Sequence, residues 1–388
     1  MQQTVAATPV SAEPSAPTPL RFSQDGTFQI SIFEDLHFGE NAWDSWGPEA
    51  DRNSVKVLNA ILDAESPDLV VLNGDLITGE NGFLENATVY IDQIVGPLVD
   101  RELTWASTYG NHDHQYNLSA HDILARENGW SNSRTQGMVE GENAGVSNYY
   151  LPVYGAESDT SPKLLLWFFD SRGGVYFQDL DESGKEIPQP NWVDSSVVGW
   201  FKETHQTLTL QYNKTIPSLA FVHIPTNASL AAQTVDVIDE NREPGINDDY
   251  PLAQQGQGWC EDGTNSDECA YGAQDIPFMR ALVETEGVLA LFSGHDHGDT
   301  WCYNWNTQIP GTAVAGNGMK LCFGQHSGHG GYGSWIRGSR QLLITEAGLD
   351  NGELDTWIRL ESGDVVGSVS LNATYGEDVY PGTPNDMT

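Results

Sequence analysis

Basic side chains are scarce in this chain of 388 residues: 17 Lys and Arg stand against 55 Asp and Glu, and the net charge is -38. So acidic a surface releases no counterions from nucleic acid or from an anionic membrane, so neither is expected as a tight partner. Long apolar runs are also missing, which excludes a membrane-spanning helix of about 20 residues. Cysteine is limited to Cys260, Cys269, Cys302 and Cys322, with no CxxC pair, which argues against a zinc ribbon or a thioredoxin-type redox site. There is no Gly-x-x-x-x-Gly-Lys-Ser/Thr loop and no Gly-x-Ser-x-Gly elbow, so a P-loop nucleotide site and a serine esterase both lack their main warrant. No internal repeat and no second composition regime is present, and a single domain over residues 21–388 is expected.

What is there points outside the reducing cytosol. An even cysteine count suggests two disulfides; sequence neighbours, Cys260–Cys269 and Cys302–Cys322, are the favoured pairing among three possible connectivities. Five Asn-x-Ser/Thr sequons, at Asn86, Asn117, Asn213, Asn227 and Asn372, fit a glycosylating route. Residues 1–20 lack the apolar core of a signal peptide and are rich in Ala, Pro, Ser and Thr; they are expected as a disordered N-terminal segment. Together with the acidic surface, these features imply a secreted, N-glycosylated protein.

Strand-like and helix-like segments alternate from residue 21. Strands are expected at 27–34, 68–73, 104–109, 163–170, 218–222 and 288–292, and helices at 51–65, 88–103, 192–210 and 277–286. Residues 114–148 are polar and read as a loop excursion. Residues 226–275 are acidic and rich in Gly and Asn, and read as an insertion forming a lid or rim. The tail at 341–371 reads as antiparallel strands turning at Ser362-Gly363-Asp364. This alternation, with antiparallel strands at the end, predicts an α/β fold of two mixed β-sheets packed as a sandwich and flanked by helices.

Five strand ends carry ligand-type residues: Asp35-Leu36-His37, Gly74-Asp75, Gly110-Asn111-His112-Asp113, His223, and Gly294-His295-Asp296-His297. Period-two alternation would aim Asp35 and His37 to one side, and His295 and His297 likewise. Asp75 is placed to bridge two cations, and Asn111 offers a neutral amide oxygen. Two carboxylates, one amide and four imidazoles form a mixed oxygen and nitrogen set, suited to two ions of Zn, Mn or Fe rather than Ca or Mg. Two such ions would activate water for in-line attack on a phosphate ester. His112 is the candidate proton donor to the leaving alcohol; Asp113 either orients that imidazole or caps the loop. Other residues in reach of a phosphate are His326, His329 and Tyr332 in the glycine-rich segment 324–333, which reads equally as a structural turn, and Arg172 or Arg337, for which ion pairs are the plainer role. Trp301, Trp305 and Trp335 line either a pocket or the core.

The series D-x-H, GD, GNH-D, H and GHxH resembles the calcineurin-like metallophosphoesterase superfamily. The passages NGDLITGEN, FVHIP, GHDHGDTWCYNW and CFGQHSGHGGYGSW resemble its purple-acid-phosphatase-like branch, which includes dosage-dependent cell-cycle-regulator phosphatases. The resemblance implies one metal held by Asp35, His37, Asp75 and His297, and a second by Asp75, Asn111, His223 and His295, with His112 catalytic. It departs in one place: where purple enzymes carry a tyrosine ligand, this chain has Thr78, so no purple colour and no obligatory ferric ion is expected. The implied function is hydrolysis of phosphate monoesters; phosphodiesters such as nucleotides or glycerophosphodiesters are the alternative, and a non-catalytic binding protein on the same fold the remote one.

Overall fold

The computed structural model describes residues 18–79, 87–115, 117–141 and 143–387. The chain begins with β1 (Leu20–Arg21), β2 (Thr27–Phe33), α1 (Gly47–Ala64), β3 (Leu69–Asn73), α2 (Thr88–Asp100) and β4 (Trp105–Thr108). Next come α3 (Ala120–Glu127), β5 (Tyr149–Tyr154), β6 (Pro162–Phe169), the hairpin of β7 (Val175–Leu180) and β8 (Glu186–Pro188), α4 (Ser195–Tyr212) and β9 (Ser218–Val222). Helices α5 (Asn227–Thr234) and α6 (Ile276–Glu284) lead to β10 (Val288–Ser293), β11 (Cys302–Trp305) and β12 (Met319–Phe323). The chain closes with β13 (Gly338–Thr345), α7 (Glu346–Leu349), β14 (Leu354–Leu360) and β15 (Val365–Leu371).

Two large mixed sheets result, ordered β1-β5-β6-β9-β10-β12-β11 and β15-β14-β13-β2-β3-β4. Their facing sides interdigitate Ile30, Ile32, Leu69 and Val71 with Leu166, Phe168, Phe221 and Phe292, all of them buried. On the outer side of the first sheet, Trp167 and Phe169 meet Phe201 of α4 and Phe278 of α6. On the outer side of the second, Val70 and Leu72 meet Leu58 and Ile61 of α1 and Ile91 and Ile94 of α2. Strands β3 and β9 are apolar almost throughout because both of their faces are covered. Truncation in the central layer, Phe292→Ala for example, is expected to cost about 3–5 kcal/mol.

Local differences from the sequence expectation have physical causes. The excursion at 114–148 contains α3, whose N-terminus is capped by the Ser119 hydroxyl accepting from the Asp122 N–H at 3.1 Å. Helix α1 starts at Gly47, before the expected Asp51, with a proline in its first turn. Helix α2 continues through Pro97 and ends at Asp100. The segment expected as an insertion opens with α5, whose Ala228 and Ala232 are fully buried, so residues 227–234 belong to the core.

Leu20 and Arg21 pair with Val153 and Tyr154, so regular structure begins inside the segment expected to be disordered; residues 1–17 lie outside the described residues. Both favoured disulfides are present, Cys260–Cys269 and Cys302–Cys322. Of the sequons, Asn117 and Asn227 are buried, Asn213 is exposed, Asn372 is partly exposed, and Asn86 lies outside the described residues. Trp301 and Trp305 are fully buried and Trp335 nearly so, which makes them packing residues. No described helix is long and apolar enough to cross a membrane.

Candidate metal centre

Strands β2, β3 and β4 run parallel in one sheet, and β9 and β10 run parallel in the other, so their C-terminal ends meet at one edge of the sandwich. Asp35 and His37 follow β2, Asp75 follows β3, Asn111 and His112 follow β4, His223 follows β9, and His295 and His297 follow β10. The aiming device differs from the expected alternation. Strand β2 stops at Phe33, and Asp35, His37, Asp75 and His295 all adopt positive φ, at 53°, 48°, 49° and 77°. Left-handed turns, at about 1–2 kcal/mol per residue, thus point these side chains inward. Two glycines make the convergence possible: a Cβ on Gly74 would lie 2.5 Å from His223 Nδ1, and one on Gly110 would lie 2.3 Å from Asp75 Oδ1.

The donor atoms form three overlapping groups: Asp35, His37 and His297; His37, Asp75 and His112; and Asp75, His223 and His295. Nε2 of His37 lies 3.2 Å from Nε2 of His297 and 3.8 Å from Asp75 Oδ2. His223 Nε2 lies 3.0 Å from Asp75 Oδ2 and 3.8 Å from Asp35 Oδ1, and His297 Nε2 lies 3.6 Å from Asp35 Oδ1. Such spacings match the edges of a coordination polyhedron with ligand bonds of about 2.0–2.2 Å.

Three imidazoles have their second nitrogen fixed by an oxygen: His37 Nδ1 by Thr78 Oγ1 at 3.1 Å, His223 Nδ1 by Asn73 O at 2.9 Å, and His297 Nδ1 by Tyr332 O at 2.7 Å. Each Nε2 is left facing inward, as metal-ligating histidines require. Among the buried side-chain atoms of the described residues that lack a hydrogen-bond partner are two in this cluster, His223 Nε2 and Asn111 Oδ1; the former lies 3.0 Å from Asp75 Oδ2. Orphaned buried donors and acceptors are rare and costly, and a cation would satisfy both of these. The residues therefore fit two metal ions, with Asp75 common to two of the three groups.

The electrostatics agree. Burial alone would raise the Asp75 carboxyl, but His223, followed by His112, holds it well below its usual range. Burial opposes a charge on His223, yet the Asp75 carboxylate pushes it up to about 10. His295 falls to about 3, through burial and then the charge of His223. Behind the ligands, the Glu34 carboxyl is pushed well up by burial and by Asp35, and it accepts from Asn73 Nδ2 at 3.2 Å.

The remaining expected residues separate. His112 is half-buried, lines a cavity of about 260 Å³ over the ligands, and donates its backbone N–H to Asp75 Oδ1 at 2.8 Å. Asp113 caps the loop: its carboxylate accepts from the N–H groups of Leu76, Ile77 and Gly110 at 2.9, 3.1 and 2.9 Å. Tyr332 lines the cavity and stacks on the His297 ring at 4.0 Å. His326 is buried against the His297 ring at 3.9 Å, placing His297 beside two rings. His329 turns to Glu361 at 3.2 Å.

Neither arginine faces the ligands with a free guanidinium. Arg172 is buried and donates from Nε and Nη2 to Trp192 O, and Arg337 donates to the carbonyls of Gly328, Gly333 and Trp335. Burial removes water as a competing partner, so carbonyl oxygens hold these groups inside the fold. Sequence reasoning missed Glu40, which lines the cavity, and His114, whose Nε2 meets Asp170 at 3.1 Å. A second histidine two residues after His112 was the available signal for the latter.

Comparison with known proteins gives the same picture. The chain is 28% identical over 363 residues to probable inactive purple acid phosphatase 28 of Arabidopsis thaliana, covering 87% of this chain and 79% of that one. It is 26% identical over 351 residues to phosphatase DCR2 of Saccharomyces cerevisiae, covering 88% and 55% of the two chains. A dimetal phosphatase from Danio rerio shares the fold, with a TM-score of 0.51 at 13% identity, over 89% of this chain and 98% of that one. The description "calcineurin-like phosphoesterase" matches residues 32–299, the span that runs from β2 to just past His297 and holds every ligand-type residue named above. With that span covering most of its length, the chain belongs to the calcineurin-like phosphoesterase family.

Proposed function

We propose that the protein is a metal-dependent phosphoesterase that hydrolyses phosphate monoesters, with Asp35, His37, Asp75 and His297 holding one ion and Asp75, Asn111, His223 and His295 holding the other. The observation that carries this reading is the pair of orphaned buried ligand atoms, His223 Nε2 and Asn111 Oδ1, beside a carboxylate common to two donor groups. Zn, Mn or Fe suits the mixed donor set. When bound, such ions supply Lewis acidity toward the phosphate oxygens and lower the pKa of water.

The protein's own part is orientation and proton handling. Thr78, Asn73 and Tyr332 fix the imidazole tautomers, and the capping carboxylate of Asp113 holds the turn that presents His112. His112, on the cavity side, gives its proton to the departing alkoxide. Two disulfides and the acidic surface support secretion, and among the described sequons exposed Asn213 is the best placed for a glycan.

Metal analysis of the purified protein, together with turnover of p-nitrophenyl phosphate and bis-p-nitrophenyl phosphate after loading with Mn or Zn, tests the proposal. Two ions per chain and faster monoester turnover are expected. Faster diester turnover would transfer the assignment to a phosphodiesterase. A second reading, a binding protein without turnover, draws on the names of relatives such as the probable inactive purple acid phosphatases 28 and 14 of Arabidopsis thaliana. Metal bound without any hydrolysis would favour it.

A further inference from the structure

We propose that the cavity over the metal centre selects phosphate esters whose alcohol carries a positive charge, such as an amino alcohol or a quaternary ammonium alcohol, and disfavours those carrying further anionic groups. This inference rests on the phosphoesterase reading and adds the substrate class to it.

Glu40 places a carboxylate at the rim of the ligand cluster. Its Oε2 accepts the Gly331 N–H at 2.5 Å, and Gly331 lies directly against the ligand rings, for its Cβ would come within 2.5 Å of His297 Cε1 and 2.7 Å of His37 Cδ2. Tyr332 adds an aromatic wall: its ring stacks on His297 with an interplanar angle of 13° and is 50% exposed. The Tyr332 hydroxyl donates to the Asp249 carboxylate, which brings a second acidic group to the same side. Lys and Arg do not occur among the described residues lining the cavity.

These features act together on whatever is esterified to the phosphate. The phosphate charge itself would be met by the two ions, but among the described residues lining the cavity no lysine or arginine would meet a second phosphate or a carboxylate on the alcohol. Glu40 and Asp249 would repel such a group, in a chain whose net charge already keeps anions away. An ammonium group gains from both carboxylates and from the face of an aromatic ring. The cavity, at about 260 Å³, suits a small head group.

The test compares choline phosphate with 3,3-dimethylbutyl phosphate, its neutral isostere, on protein loaded with Mn or Zn. Both kcat/KM and calorimetric affinity are measured for the native chain and for Glu40→Gln. The expected result is a preference of about tenfold for choline phosphate that shrinks at least threefold in the variant, with 4-carboxyphenyl phosphate gaining relative to p-nitrophenyl phosphate. Hydrolysis of p-nitrophenyl phosphate with no charge preference, or with a preference that Glu40→Gln leaves unchanged, would overturn the proposal and leave the phosphoesterase reading intact. Tighter, Glu40-dependent binding of choline phosphate with no hydrolysis of any ester would uphold the selectivity and overturn the phosphoesterase reading instead.

Discussion

The hydroxyl of Thr78 sits 3.1 Å from Nδ1 of His37, so the residue standing where purple enzymes have a tyrosine fixes the ring of a proposed ligand. Thr78→Val keeps the shape and removes the hydrogen-bond partner. Loss of such a supporting contact typically costs about 10–100-fold in metal affinity. Competition with a chelator of known affinity should show one of the two ions weakened to that extent. Equal affinities in Thr78→Val and the native chain would leave Thr78 a packing residue.

His112 and Asn111 are adjacent in sequence, and the proposed function gives them different roles. Asn111→Ala removes an orphaned buried amide oxygen and should lower the bound metal from two ions toward one. His112→Ala should keep both ions and lower kcat by about 10²–10⁴-fold, the usual contribution of general acid catalysis. Metal content by mass spectrometry, read beside turnover, separates the two; metal loss in the His112 variant would make it a ligand.

Gly331 touches two ligand rings and has a φ of 74°. A methyl group there meets both imidazoles, so Gly331→Ala should cost about 1–3 kcal/mol of stability through overpacking and should weaken metal binding. Gly363→Ala, also at positive φ but with open space around it, is the control. It should lower the melting temperature without changing metal affinity.

Asp275, which belongs to none of the donor groups, supplies a pH test. Burial pushes its carboxyl up from 3.8 to about 6, partly offset by the Asn227 N–H at 2.7 Å and the Tyr271 hydroxyl. A folded pKa above the unfolded one means the folded state holds the proton more tightly, so this group's contribution to stability falls as pH rises from 3.8 to about 6. Asp275→Asn cannot ionise. Its melting temperature relative to the native chain should therefore rise between pH 4 and pH 7, and a constant difference would contradict the assignment.

The Cys302–Cys322 disulfide joins directly opposed residues of β11 and β12, at a sequence separation of 20. Replacing both with Ala should cost about 2–4 kcal/mol, as for other loops of this order. Denaturant titration under non-reducing conditions checks it. A loss below about 1 kcal/mol would show that strand pairing alone holds this edge.

Much of the centre was legible because each strand end closes an apolar run with a ligand-type residue, a pattern that local sequence displays directly. The supporting contacts were not legible. The Asn73 and Tyr332 carbonyls are backbone groups, without a residue-type signal, and Thr78 stood out only as a missing tyrosine. Arg172 and Arg337 drew attention by charge, whereas burial committed them to carbonyl oxygens. Helix α3 was hidden by a polar surface with few apolar positions, and α5 by the acidic, glycine-rich stretch that follows it. The direction of Asp35 and His37 was anticipated, although left-handed turns rather than strand alternation produce it.

Strand β2, which delivers Asp35 and His37, is flanked by β3 on one side and on the other by β13, where Arg340 lies opposite Ile32 and Thr345 opposite Thr27. The first ligand-bearing strand is thus completed by one made some 300 residues later. During synthesis at about 5–20 residues per second, the nascent chain exposes that edge of β2 until residue 345 has emerged from the ribosome. The edge that carries the candidate metal centre is consequently among the last regions to close, and an unpaired edge during that delay invites aggregation. A chain terminated early, even after His297, would carry every proposed metal ligand and still lack the strand that holds the first two in place.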